Sequence, residues 1–238
     1  MTVVLRCPPL EAMPARGGGT VRRIAANDRR YSDAEVVGLE RRCAAGMLAA
    51  MEGRDAEATT CGKLRALIAR PAIEPILLAR WAELARWELT EASLLDLAGA
   101  LGGKRAAFAP RTMRGSARPG GVAVAFADRE AAADWVNRLL ALDSLCPDPI
   151  QFAAAAYATM ILLHPLQDMN GRLARALAIA AMARRGVVAR PSLALAPIAY
   201  RERDGLATAI RALSETGGWS DFFTRFEGLV GAALGYES

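Results

Sequence analysis

Apolar residues recur along this chain at intervals of three and four, the spacing that gathers them on one face of a helix. Polar and glycine-rich punctuation cuts that pattern into a series of segments. Ser32 and Glu35 form a capping-box pair that opens a helix predicted to run to about residue 51, and Gly53 stands just beyond it. Further helices are predicted over 58–69, from Pro75 to residue 87, and over 91–101, the last opened by Thr90 and ended by Gly102-Gly103. After a loop-like stretch over 105–121, residues 122–126 are the one clear strand candidate, set between Gly120-Gly121 and Asp128. The helical spacing returns over 129–142, 150–163, 171–185, 200–215 and 219–234. The expectation is an all-α, mainly helical bundle with one small strand element.

Three regions follow from this pattern. Residues 1–30, with Gly17-Gly18-Gly19 among them, are expected to be a flexible lead. Residues 31–104 form a set of N-terminal helices, and 105–235 a core. Hydrophobic residues make up 53% of the 238 and aromatics only 6%. So alanine-rich a composition favours closely packed helices over sheets. The net charge of +5 is carried almost wholly by arginine, because Lys63 and Lys104 are the only lysines. No basic run interleaved with aromatics marks a nucleic-acid surface. Every apolar run is broken before the roughly 20 residues of a membrane span. Cys7, Cys43, Cys61 and Cys146 show no paired metal-ligand spacing. They are expected to be free thiols in a reducing cytoplasm. Secretion by a specialised apparatus would leave no mark on this pattern.

Chemistry concentrates in residues 164–175, His-Pro-Leu-Gln-Asp-Met-Asn-Gly-Arg-Leu-Ala-Arg, between two alanine-rich helices. A lone histidine beside an apolar helix is usually a core residue, and arginines three apart usually line a solvated face. Here these features coincide with a carboxylate and an Asn-Gly turn. A loop that opens a helix directs free N–H groups outward, ready for a phosphate. Asn170 and Gly171 can adopt left-handed conformations that curl those groups around the anion. Arg172 and Arg175 share a face and can clamp phosphate oxygens. Asp168 can hold magnesium, which takes one or two carboxylates beside phosphate and water. His164, the only histidine, has the pKa range of a general base. Pro165 fixes the backbone after it.

The segment resembles the signature of the Fic family, His-x-Phe-x-(Asp/Glu)-Gly-Asn-Gly-Arg-x-x-Arg. His164, Asp168, Asn170, Gly171, Arg172 and Arg175 match it in type and spacing. Leu166 replaces the Phe at an apolar anchor. Met169 replaces the first Gly, where a side chain either turns away into an apolar pocket or narrows the phosphate cradle and changes the preferred donor. The resemblance implies a nucleotidyltransferase moving AMP, or another nucleoside monophosphate, from ATP or another nucleoside triphosphate to a Ser, Thr or Tyr hydroxyl of a target protein. His164, Asn170 and Arg172 would be catalytic. Asn170, Gly171, Arg172 and Arg175 would bind the nucleotide, and Asp168 the Mg2+.

It also implies that strand 122–126, with Val122 and Val124, belongs to a hairpin flap to whose edge the target adds as an extra strand. Gly115 and Arg118 sit where the family has a Gly-x-x-Arg lead into that flap. Upstream, Ala50-Met51-Glu52-Gly53 resembles the end of the inhibitory pattern (Ser/Thr)-x-x-x-Glu-(Gly/Asn), although Leu48 stands where Ser or Thr is usual. Glu52 would then pair with Arg175. Trp219, Phe222 and Phe223 echo a Trp-x-x-Phe-Phe close and are expected in the core. The partners implied are a nucleoside triphosphate and a hydroxyl-bearing target protein, with no nucleic acid and no membrane; a homodimer is compatible. Two other readings stay open. One is the same fold acting as a kinase-like or small-molecule phosphotransferase. The other is a degenerate scaffold that binds nucleotide or protein without catalysis.

Overall fold

A computed structural model describes residues 2–8, 13, 24–26, 28, 30–51, 58–103, 105–107, 116–117, 123–126, 129–146 and 148–235. Two alanine-rich helices form its centre: α9 (Pro149–Leu163) and α10 (Asn170–Arg184). They make the most extensive helix–helix contact of the molecule. Both are buried almost all round. Ala153, Ala154, Ala155, Ala156 and Ala158 of α9 and Ala174, Ala176, Ala178, Ala180 and Ala181 of α10 are fully enclosed. Small side chains let the two backbones approach closely, and a helix apolar on every face is stable only at the middle of a bundle. Asp148 caps α9 by accepting from the Ile150 and Gln151 N–H groups, with Pro149 in the first turn. The link between the helices is residues 164–169, so the motif loop sits at one end of the central pair.

The remaining helices wrap this pair. Ser32 and Glu35 make their capping box on α1 (Asp33–Val36), but Gly38 at φ +78° breaks the pattern expected to be continuous to residue 51. The helix restarts as α2 (Leu39–Met51) and pairs with α3 (Ala58–Ala69). The helix expected from Pro75 to 87 is likewise two pieces, α4 (Glu74–Ala79) and α5 (Trp81–Arg86), joined at Arg80 and closed by left-handed Trp87. Next comes α6 (Glu91–Gly102), capped by Thr90 and ended by Gly103 at φ +67°. Helices α5 and α6 lie on α10. Helices α7 (Arg129–Leu140) and α8 (Leu142–Leu145) precede the central pair. After it come α11 (Leu195–Arg201), α12 (Arg203–Thr216) and α13 (Trp219–Gly235). Trp219, Phe222 and Phe223 are fully buried on α13, and Phe226 packs against Tyr157 of α9 with centroids 5.5 Å apart.

The strand content differs from expectation. Strand β3 (Ala123–Ala125) pairs antiparallel with β2 (Ser116–Ala117), and on its other side runs β1 (Thr2–Val4), parallel to it, with Val3 opposite Val124. Part of the region expected to be a flexible lead is therefore built into the fold. Leu5, Cys7 and Ile24 are buried, Arg6 N–H donates to Ser214 Oγ at 2.6 Å, and the buried Asp28 accepts from Ser192 Oγ and the Ala189 N–H. The cause is long-range. These residues show no periodicity of their own, but their apolar side chains and backbone groups find partners more than a hundred residues away. Among the described residues, no helix is long and apolar enough to cross a membrane.

Candidate active site

Residues 164–169 form a tight loop with a left-handed residue at each end: His164 at φ +47°, which is also the C-cap of α9, and Met169 at φ +73°. Inside it, Leu166 is an apolar anchor, 3% exposed. Its backbone is gripped by one side chain. Leu166 N–H donates to Asn170 Oδ1 at 3.0 Å, and Asn170 Nδ2 donates to the Leu166 carbonyl at 2.8 Å. Asn170 is therefore buried, with its carboxamide satisfied within the loop.

This corrects one expectation. Asn170 and Gly171 are not left-handed; they are the first two residues of α10. The left-handed position is Met169, where the resembled signature has Gly. An L-residue held there costs on the order of 1–2 kcal/mol. The surroundings offset that cost: Asp168 Oδ1 accepts the Met169 N–H at 2.7 Å, and the Met169 side chain lies against Gly102 at the end of α6. A Cβ on Gly102 would sit 2.9 Å from Met169 Cγ. We expect Gly102→Ala to cost about 1–3 kcal/mol through overpacking. Met169→Ala should relieve most of that cost in the double variant. Denaturant unfolding of the four-member cycle would detect this, and strictly additive costs would refute the contact.

His164 is half-buried. Burial pulls its pKa below the ordinary 6.5, against the smaller opposing effects of the Ile161 backbone and the Asp168 carboxylate. Nδ1 is buried, and no hydrogen bond of full geometry reaches it from the described residues. The Phe126 ring stacks on the imidazole, centroids 4.0 Å apart and planes inclined by 16°. A depressed pKa leaves the ring neutral at pH 7, the form a base requires. The acid limb of a kcat/KM profile governed by His164 should therefore lie below pH 6.5. A midpoint above that value would contradict the burial of the ring.

Beside the imidazole, α10 opens at Met169, whose side chain makes no capping hydrogen bond to the first N–H groups. Those groups point out of the helix with the positive end of its dipole. Asp168 is exposed at this end. No cluster of three metal-ligating side chains occurs among the described residues. One exposed carboxylate beside an anion-binding helix end does fit magnesium, which is held mainly by phosphate oxygens and water.

The two arginines are engaged by the protein. Arg172 donates from Nη1 to the Leu101 carbonyl, one of the orphan acceptors at the end of α6. Partial burial, together with repulsion from Arg70 and Arg175, lowers its pKa. Arg175 is only 4% exposed. Its Nε lies 3.7 Å from Oε1 of Glu40, a residue of α2 that is itself buried. The Tyr200 ring lies 5.7 Å from the guanidinium. Burial works against the Arg175 charge, but Glu40 and the hydroxyls of Tyr200 and Tyr157 outweigh it and hold the group charged. Burial in turn pushes the Glu40 carboxyl up, with Arg175 opposing. Glu40 also accepts the Ala196 N–H at 3.1 Å, and its own N–H donates to Glu74 Oε1 at 2.8 Å.

The structure thus gathers His164, Asp168, the α10 N-terminus and Arg172 at one end of the bundle, with Arg175 beneath. Glu52, Val122, Gly115 and Arg118 lie outside the described residues, and Val124 is the middle residue of β3. Three participants were not read as site residues in the sequence: Phe126, Glu40 and Gly102. Each acts through a contact with a distant segment.

No protein-family model matches this sequence, and no curated protein does. Among solved structures the chain is similar to a Fic family protein from Desulfovibrio desulfuricans G20, at 14% identity and a TM-score of 0.57, over 94% of this chain and 75% of that one. It is also similar to a Fic domain containing signaling protein from Bacteroides thetaiotaomicron VPI-5482, at 15% identity and a TM-score of 0.53, over 91% of this chain and 94% of that one. Helices wrapped around a central pair, with the signature-like loop joining that pair, make the fold of this chain the Fic-domain fold.

Proposed function

We propose that the protein is a Fic-type nucleotidyltransferase that moves AMP, or another nucleoside monophosphate, from a nucleoside triphosphate to a Ser, Thr or Tyr hydroxyl of a target protein. One observation carries the reading: a half-buried imidazole stands at one end of a six-residue loop whose other end is a helix N-terminus that the side chain of its N-cap residue leaves open, with an exposed carboxylate beside it. A base beside an anion-binding helix end is what in-line transfer of a phosphorus group to a hydroxyl needs.

In this mechanism His164 takes the proton of the attacking hydroxyl. The oxygen bonds to the α-phosphorus as the bond from that phosphorus to the departing pyrophosphate breaks. The first N–H groups of α10, with Gly171 adding no side chain, hold the transferred phosphate. Arg172 faces the departing phosphates once it leaves the Leu101 carbonyl. Asp168 would hold Mg2+, which supplies charge neutralisation on the phosphates when bound. Catalysis consists of positioning and electrostatic stabilisation.

Incubation of the purified protein with Mg2+, each nucleoside triphosphate in turn and a lysate, followed by mass spectrometry, tests this reading. AMP, UMP and a bare phosphate add different masses, so the phosphotransferase alternative is separated in the same experiment. Isothermal titration with ATP and Mg2+ addresses the scaffold alternative. A product carrying only phosphate, or no modified product from any donor, overturns the proposal.

A further inference from the structure

Nothing in the proposed chemistry requires an aromatic ring beside the base, yet Phe126 lies nearly flat on the His164 imidazole. The base needs such support. Its backbone is left-handed, and at its buried Nδ1 the Ile161 backbone is near, but no partner among the described residues meets hydrogen-bond geometry that would fix the ring plane. A flat stack restrains tilt where a hydrogen bond does not.

What places Phe126 is the sheet. Phe126 directly follows β3, whose Val124 is paired on both sides, with Val3 of β1 and Ala117 of β2. Strand β1 is in turn tied into the bundle by the residues that follow it. Leu5 and Cys7 are buried, Arg6 N–H donates to Ser214 Oγ on α12, and Cys7 Sγ lies 3.9 Å from Thr159 Oγ1 on α9. Helix α9 ends at His164. The chain therefore closes a circuit from α9 through the imidazole, Phe126, β3 and β1 back to α9. So anchored, β1 is a fixed part of the frame behind the base.

We propose that Phe126 is a positioning residue for His164, and that the N-terminal strand β1 sets where its ring lies. The inference rests on the reading of His164 as the base. It makes the extreme N-terminus part of the active-site frame, about 120 residues from Phe126 in sequence and linked to it by the β1–β3 ladder.

The test uses the single histidine, whose ring protons give unambiguous NMR signals in the full-length protein. A stacked phenyl ring displaces them upfield. In Phe126→Ala that displacement should vanish. Transfer kcat should fall by about 10- to 100-fold, as for a misplaced catalytic group, with nucleotide KM little changed. Phe126→Tyr, which keeps the ring, should restore both the upfield signals and most of the rate. Successive N–H groups of a strand point to opposite sides, so the double variant Val3→Pro/Val4→Pro removes at least one bond to β3. It should move the imidazole signals downfield and lower kcat in the same sense.

A Phe126→Ala variant with wild-type kcat, or one whose KM changes instead of kcat, overturns the positioning role. A proline variant with unmoved signals, or with a raised rate, overturns the part assigned to β1. An active wild type without upfield signals overturns this inference alone. A stacked wild type that transfers nothing from any donor overturns the base assignment beneath it.

Discussion

Replacing His164 is expected to reduce transfer by at least about 100-fold, the usual effect of removing a general base. No second histidine exists to substitute for it. The backbone adds a consideration to the design, because His164 is left-handed and alanine there is strained by on the order of 1 kcal/mol. His164→Gly removes the imidazole while favouring that conformation and the C-cap of α9. Both variants should lose activity, and the glycine variant should keep the wild-type unfolding midpoint. The measurements are initial rates with a modified target and denaturant unfolding of each protein. A glycine variant that folds and turns over at the wild-type rate would remove His164 from the mechanism.

The second large effect is expected at Glu40. Its carboxylate faces Arg175 in a site that excludes water from both groups, and it accepts the Ala196 N–H. Glu40→Ala leaves a buried guanidinium and a backbone donor without that partner. Breaking a buried pair from one side costs about 3–5 kcal/mol, a large part of the roughly 5–15 kcal/mol that stabilises a domain. Glu40→Gln keeps the acceptor for Ala196 and should cost less. The same pair withholds Arg175 from any phosphate, so the glutamine variant should also bind a nucleoside triphosphate more tightly, as read by isothermal titration. A loss under about 1 kcal/mol in the alanine variant would show that Glu40 is not the main partner of Arg175.

Several elements were legible because their causes are local. The capping box of Ser32–Glu35 and the N-cap Thr90 each act within one helical turn, and Gly103 ends α6 in the left-handed conformation that glycine favours. The alanine-rich runs that became α9 and α10 were legible as helices from their composition and apolar spacing. The helix breaks at Gly38 and Arg80 were not legible, since the apolar spacing continues across them. The strand at residues 2–4 was not either, since three residues have no periodicity to read and form a strand only when β3 supplies the hydrogen bonds.

At the site, the division follows the same reasoning. By itself the sequence determined the chemistry on offer: one imidazole, one carboxylate, an Asn-Gly pair and two guanidiniums at fixed spacing, between two alanine-rich helices. Covalent order sets that spacing. Tertiary structure alone decided how those groups are held. It made Met169, not Asn170 or Gly171, the left-handed residue, because Asn170 turns inward to bond the Leu166 backbone and Gly102 leaves room for the methionine. It buried Arg175 against Glu40 from another helix and laid Phe126 on His164. Each of these contacts joins residues far apart in the chain, and their burial, pairing and pKa values depend on which groups the folded chain brings within a few ångströms, a property the linear order does not contain.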